Sequence, residues 1–190
     1  MHVPLHHPEE ALMFYRIVNE QIQLHLTHPH QTEELFALTD RNREFLKAWL
    51  PWLDKVQAPD DTRSFLVEQQ AGLAEGRLLT MVVRYEDAIA GTMGFHKIGT
   101  TNRTAEIGYW LGEEYNGRGI MTACVQELID VGRDYLNLQK IVIRCATGNE
   151  RSRAIPRRLG FELEGTFRRA ELLYDRWLDM EVYGLLLETD

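Results

Sequence analysis

Hydrophobic spacing along this chain changes period several times. Ile22, Leu24 and Leu26 alternate with Gln21, Gln23, His25 and Thr27, which predicts a strand with one buried face. Leu35, Phe36, Leu38, Phe45, Leu46 and Trp49 then follow helical spacing. Thr32 is the expected N-cap of this helix, with Glu33 and Glu34 in its first turn. Asp40 and Asn42 predict a break, and Pro51 ends the segment because the residue before a proline avoids helical backbone. Asp60 or Asp61 is expected to cap a second helix running to about Glu75, with Phe65, Leu66 and Ala71 facing inward and Gly76 just past its end.

From Leu79 the pattern is that of strands. Leu79, Met81 and Val83 form one, Ile89 to Ile98 the next, and Ala105 to Leu111 a third, joined by turns at Glu86-Asp87 and at Gly99 to Arg103. Gly108 inside the third strand predicts a bulge or a close backbone approach. A helix is expected from Ile120 to Leu136. Ile141, Val142, Ile143 and Cys145 form an apolar run suited to a sheet centre. Asn149 to Leu159 reads as a short helix. Phe161 to Leu173 and Trp177 to Leu187 read as a hairpin turning at Tyr174-Asp175-Arg176. Residues 1 to 10 are rich in His and Pro and read as a loose lead-in. No repeat, low-complexity tract or linker interrupts the sequence, so residues 1–190 are expected to form a single α+β domain, with a mixed, mostly antiparallel sheet flanked by helices.

Charge narrows the partners. With 21 basic and 29 acidic residues the net charge is −8, which disfavours nucleic acid, whose phosphates need a basic face. A cationic amine or basic peptide is favoured mildly, and plain solubility explains the charge equally well. The two cysteines, Cys124 and Cys145, have neither paired spacing nor a metal-ligand pattern and read as buried small apolar residues. His25, His28 and His30 resemble a metal cluster in spacing, but they sit at a strand end with no acidic ligand pattern around them, and no metal is expected. No apolar run is long enough for a membrane span, and the N-terminus is unlike a signal peptide. The expected location is cytoplasmic.

The candidate chemistry starts at Asn116-Gly117-Arg118-Gly119-Ile120-Met121. Two glycines free the backbone for a tight turn immediately before a helix, whose first N–H groups and dipole favour an anion. A bare turn is the alternative reading. Lys-Ser or Lys-Thr does not follow the second glycine, and no third glycine completes a dinucleotide fingerprint. A diphosphate cradle of main-chain N–H groups remains, with Arg118 as a charged helper.

This loop resembles the acyl-CoA pyrophosphate loop of the GNAT acetyltransferases, although Asn116 and Met121 depart from the first and last positions of that pattern. Ala105-Glu106-Ile107-Gly108-Tyr109-Trp110, the glycine loop, and then Asn149-x-x-Ser152 with Leu159-Gly160-Phe161 resemble the RimJ/RimL branch, the ribosomal-protein N-terminal acetyltransferases. The resemblance implies a GNAT-like sheet splayed at its central strand and acetyl-CoA as donor, with a homodimer left open. Donor-binding positions are then Tyr109, Trp110, Leu111, Asn116, Gly117, Arg118, Gly119, Ile120, Met121 and Asn149. Backbone N–H groups near Tyr109 to Leu111 would meet the acetyl carbonyl, a contact compatible with Trp110 and Leu111 also packing in the core.

Many members of the family carry an acidic tyrosine seven residues after the motif asparagine, where this chain has Pro156. Ser152 is the substitute implied by the resemblance, and a helix-start role is its plain alternative. Asn149 either caps that helix or bonds the donor's pantetheine arm. Glu171 stands where the branch places a glutamate facing the acceptor amine, and so is the first choice of base; Glu106 and Asp179 follow it. Arg151, Arg153, Arg157 and Arg158 either meet the donor's phosphates or form a solvated helix face. Phe45, Trp49 and Trp52 belong to the core or to the acceptor cleft.

An α-amino group has a pKa near 8 and is roughly one-tenth neutral at pH 7, whereas a lysine near 10.4 is neutral about once in 10³. A weak carboxylate base therefore suits an N-terminal amine. The expected activity is direct transfer from acetyl-CoA to the N-terminal α-amine of a ribosomal or other protein in a ternary complex. The alternatives are a small-amine acetyltransferase acting on a polyamine, amino acid or aminoglycoside, and a non-catalytic CoA-binding module.

Overall fold

In a computed structural model, which describes residues 15–187, the strand-like segments join one sheet. Its eight strands are β1 (Tyr15–Ile17), β2 (Ile22–Leu26), β3 (Leu79–Tyr85), β4 (Ala88–Gly99), β5 (Thr104–Leu111), β6 (Lys140–Ala146), β7 (Glu162–Leu173) and β8 (Arg176–Leu186), in the spatial order β1-β2-β3-β4-β5-β6-β8-β7. Neighbours are antiparallel except β5 and β6, which run parallel because a helix carries the chain back between them.

Helices cover the two faces unequally. α4 (Ile120–Asp134) buries Ile120, Cys124, Val125, Leu128 and Ile129 against Ala105, Ile107 and Leu111 of β5 and Ile141 and Ile143 of β6. α5 (Glu150–Arg158) lies on this same face, where its Arg153 meets Glu181 of β8. The other face carries α1 (Thr32–Arg41), α2 (Arg43–Lys47) and α3 (Pro59–Ala74); Leu35, Leu38 and Leu66 pack there on Val82 and Ile89, with Trp110 alongside.

The expected α+β sheet with helical flanks is present, and several local expectations change. Thr32 is the first helical residue rather than the N-cap. A 3-10 turn, Pro29–Gln31, leads into it, and Thr32 Oγ1 donates to the carbonyl of Pro29 at 2.6 Å. The second helix starts at Pro59, whose missing N–H costs nothing in a first turn. Asp61 accepts from the N–H groups of Gln57 and Ala58 at 2.8 and 2.9 Å, so it secures the helix start from inside. Phe65 and Ala71 face outward, and the inner side is Thr62, Leu66, Gln69 and Gly72. Gly76 does follow the helix end, with φ +69°. The predicted break falls at Asn42, and the helix from Ile120 ends at Asp134. The lead-in, residues 1 to 10, lies outside the described residues.

Candidate active site

β5 and β6 pair from Thr104↔Lys140 to Ile107↔Ile143 and no further, although β5 runs on to Leu111 and β6 to Ala146. The sheet is forked here, as the expected splay requires. Beyond Ile107 the edge of β5 facing β6 has no strand partner, so its polar backbone groups remain available to an inserted ligand. Gly108 is the first residue past the last pair. A Cβ on it would lie 1.6 Å from Nε2 of His96, so the close approach expected at this glycine is that of an imidazole. The bulge is in β4: Phe95 pairs with Ile107 and Lys97 with Glu106, leaving His96 as the extra residue.

The glycine loop follows β5. Gly117 and Gly119 both have φ +76°, a left-handed conformation that side chains other than glycine disfavour. Gly119 is the N-cap of α4, and among the described residues no side chain caps this helix. An uncapped helix start presents N–H groups and the positive end of the dipole to an anion. Asn42, at the α1–α2 break, accepts from the N–H of Glu113 at 2.8 Å, and Arg41 pairs with Glu114 at 3.0 Å. Asn116 donates to the carbonyl of Gly112 at 2.8 Å. The loop therefore stands on a tied base.

The start of α5 forms the other wall. Asn149 is its N-cap and accepts from the N–H of Ser152 at 3.1 Å, so its Oδ1 has the capping role while the residue also lines the cleft. Pro156 lacks the N–H that would bond the carbonyl of Ser152 four residues earlier. The phenol of Tyr109 takes that carbonyl at 3.1 Å, and Ser152 Oγ donates back to the phenol oxygen at 3.3 Å. Burial raises the pKa of Tyr109 far above its usual value, so the phenol stays protonated. The sequence implies only a backbone role for Tyr109. The bonds of its phenol to Ser152 have no local signal, because β5 and α5 meet only in the folded chain.

A cleft of about 380 Å³ joins these parts; Tyr109, Trp110, Leu111, Asn116, Met121, Asn149 and Ser152 line it. Phe45 and Trp49 close it from α2 and the following loop, while Trp52 packs on Trp110 with centroids 6.1 Å apart. Gly117, Arg118, Gly119 and Ile120 belong to the adjoining loop and helix start. The side chain of Ile120 is buried in the core, which leaves only its backbone for a ligand, and Arg118 lies over the ring of Tyr85.

Glu171 does not line the cleft. It lies half-buried on β7 opposite Leu178, on the sheet face away from α5. Asp179 holds a bulge in β7 by accepting from the N–H of Arg169 at 2.8 Å. Glu106 lies on β5 before the fork, opposite Lys97. Of the arginine run, Arg153 makes a two-pronged pair with Glu181 at 2.7 and 2.6 Å, Arg157 bonds the hydroxyl of Tyr183, Arg158 bonds Thr122, and Arg151 lies over Phe45 beside the cleft.

Cys124 and Cys145 are buried, and loss of hydration pushes their thiols up to about 12 and about 11. His28 caps the 3-10 turn and contacts His30, whereas His25 bonds Gln23 and stacks on Tyr15. Among the described residues, no group of three or more His, Cys, Asp or Glu could hold a metal ion, and no helix is long and apolar enough to cross a membrane.

Comparison with known proteins agrees with this geometry. Residues 22–162 match the family model described as acetyltransferase (GNAT) domain. The chain is 32% identical over 172 residues to the ribosomal-protein-serine acetyltransferase of Escherichia coli strain K12, covering 90% of this chain and 96% of the relative. It is similar to the microcin C7 self-immunity acetyltransferase MccE in complex with acetyl-CoA and AMP, with 32% identity, a TM-score of 0.86, and 90% and 94% of the two chains covered. RimL, the ribosomal L7/L12 α-N-protein acetyltransferase, in complex with coenzyme A superposes with a TM-score of 0.90 at 27% identity, over 93% of this chain and 100% of that one. With a forked sheet, a glycine-led helix start and a matching family model, this chain belongs to the GNAT acetyltransferase family.

Proposed function

We propose that the protein transfers an acetyl group from acetyl-CoA to the N-terminal α-amine of a ribosomal or other protein, in the cytoplasm. The observation that carries this reading is the fork, which opens beside an uncapped, glycine-led helix start. Those features fit the donor. The N–H groups at the start of α4 suit its diphosphate, and the free edge of β5 from Gly108 to Leu111 suits its pantetheine arm and acetyl carbonyl. Bound there, acetyl-CoA supplies an activated acyl group as its thioester.

Within this reading Gly117, Arg118, Gly119, Ile120 and Met121 hold the diphosphate, mainly through backbone. Asn116 fixes the turn before them. Tyr109, Trp110 and Leu111 provide the edge along which the arm lies, and a backbone N–H there stabilises the oxyanion as the amine attacks. Asn149 orients the first turn of α5. Ser152 delivers a proton to the departing sulfur, and the phenol of Tyr109 holds it in place. Glu171, on the face opposite α5 and outside the cleft lining, receives the proton lost by the amine through an intervening group or water. The high-pKa thiols favour direct transfer over a cysteine-bound acetyl group.

The acceptor assignment rests on the relatives, whose names specify ribosomal proteins. The MccE structure, equally similar in identity, is a complex with acetyl-CoA and AMP, and it supports a second reading, a small-molecule amine as acceptor. Incubation with acetyl-CoA and either N-terminal peptides of ribosomal proteins or small amines separates the two. Peptide acetylation without spermidine or amino-acid acetylation supports the first, and the reverse supports the second.

A further inference from the structure

We propose that His96 is a catalytic residue, the first proton acceptor for the attacking amine. This inference rests on the acetyltransferase reading above. His96 is the bulged residue of β4, and its ring covers Gly108, the first position beyond the last β5–β6 pair. Only a glycine at 108 permits this, because a Cβ there would meet Nε2 at 1.6 Å. Bulge and glycine together aim an imidazole at the mouth of the fork.

The face is the relevant one. On β5, Ala105, Ile107 and Leu111 pack on the α4 side. Glu106, Gly108 and Trp110 alternate onto the other face, where Trp110 packs beside the α1–α3 layer. His96 therefore lies on the side opposite the donor-loop helix, one pleat from Trp110, which lines the cleft. Glu171 and Phe167 of β7 share that face. An acceptor entering there brings its amine past the imidazole before it reaches the acetyl carbonyl.

A base must be neutral to act. His96 is exposed to solvent on one side, and on the side where its ring lies against Gly108 loss of hydration lowers its pKa, with Glu106 opposing the shift and Lys97 reinforcing it. Arg144, one residue past the final β6 partner of β5, adds positive charge on the same face, where it lies over Phe167. The neutral imidazole is thus the predominant form at pH 7. The amine nitrogen forms a bond to the acetyl carbon, its proton passes to His96, the carbon–sulfur bond breaks, and the sulfur leaves as the thiol with the hydroxyl proton of Ser152, which a water molecule replaces on the serine oxygen. His96 then returns its proton to solvent or to Glu171 further along the face.

The test compares wild type with His96→Gln, His96→Asn and Glu171→Gln, using acetyl-CoA and a serine-initiated ribosomal-protein peptide. Calorimetric CoA binding serves as the control for folding. His96→Gln and His96→Asn are expected to lower kcat/KM by about 10²-fold without weakening CoA binding. In the wild type the acid limb should steepen below the pKa of the imidazole, because a second proton must be lost beyond that of the substrate amine. The steepening should vanish in both His96 variants and persist in Glu171→Gln. The imidazole resonance missing from His96→Gln should titrate below the ordinary histidine value in the wild type and move when peptide is added to the CoA complex. An unchanged kcat/KM and limb in the His96 variants, or a resonance indifferent to peptide, would overturn the proposal while leaving the acetyltransferase reading intact. Absence of acetyl transfer from the wild type to every amine would overturn both.

Discussion

Tyr109 and Ser152, 43 positions apart, bond each other twice across the fork. The phenol of Tyr109 serves the carbonyl that Pro156 leaves without a helical partner, and in return it accepts the hydroxyl of Ser152. One side chain thereby repairs a helix and fixes the hydroxyl proposed to protonate the leaving sulfur. Ser152→Ala should lower kcat about 10²-fold with little change in the KM for acetyl-CoA. Tyr109→Phe should reduce kcat less and lower the melting temperature, because a buried carbonyl loses its donor. Steady-state kinetics and thermal melts check both. If Ser152→Ala retained full kcat across pH, the hydroxyl would have no part in the chemistry.

The anion site predicts a backbone-specific effect. Gly119→Ala places a Cβ on a left-handed residue, a strain of roughly 1–2 kcal/mol, and should raise the KM for acetyl-CoA several-fold. Gly119→Asn should be milder, since asparagine tolerates this conformation. Calorimetric titration with CoA measures the ranking. Equal affinities for the glycine, alanine and asparagine forms would remove the helix start from the donor site.

Much of this site could be read from sequence because its parts are local. The glycines at 117 and 119 precede a helix directly, and Asn149 and Ser152 share one helical turn, so their geometry follows from spacing. The fork itself was expected only from the family resemblance, since no residue pattern states where two strands stop pairing. The Tyr109–Ser152 bonds and the placement of His96 over Gly108 depend on contacts between distant strands and helices. α3 misled for a different reason. Its inner positions Thr62, Leu66, Gln69 and Gly72 include a single large aliphatic residue, so hydrophobicity alone favours Phe65 as an inward side chain. The inner face is set instead by the bond from Thr80 to Gln69 at 2.7 Å and by the close seat of Leu78 against Gly72.

The Arg153–Glu181 pair gives stability a defined pH dependence. The guanidinium of Arg153 holds the Glu181 carboxyl below its usual value, with the hydroxyl of Tyr183 assisting. A depressed carboxylate adds stability above its unfolded-state pKa and loses it as pH falls through the lower folded-state value. Wild type should therefore lose melting temperature in strong acid. Glu181→Gln should melt lower than wild type at pH 7, because Arg153 loses its two-pronged, buried partner and keeps only the exposed Glu150, and the difference should shrink as pH falls below the carboxylate range. Thermal melts from pH 7 to pH 3 check this, and a constant difference would contradict it.

The thiols should be inert. Burial holds Cys124 and Cys145 almost wholly protonated at neutral pH. Iodoacetamide at pH 7.5 should label neither in the folded protein and both after denaturation, as read by mass spectrometry. Cys124→Ala should retain kcat. Rapid labelling of folded Cys145, or an acetylated cysteine trapped without acceptor, would reopen a covalent route.

The most direct measurement is acetyl transfer itself. Purified protein is mixed with acetyl-CoA and a panel comprising ribosomal-protein N-terminal peptides, the same peptides with blocked N-termini, lysine-containing internal peptides, spermidine and free amino acids, while thiol release is followed and the acetylated nitrogen is located by fragmentation. The predicted result is CoA release coupled to acetylation of the α-nitrogen of unblocked N-terminal peptides, and none with their blocked forms. Tight CoA binding without turnover on any amine, or turnover confined to spermidine, would contradict the account.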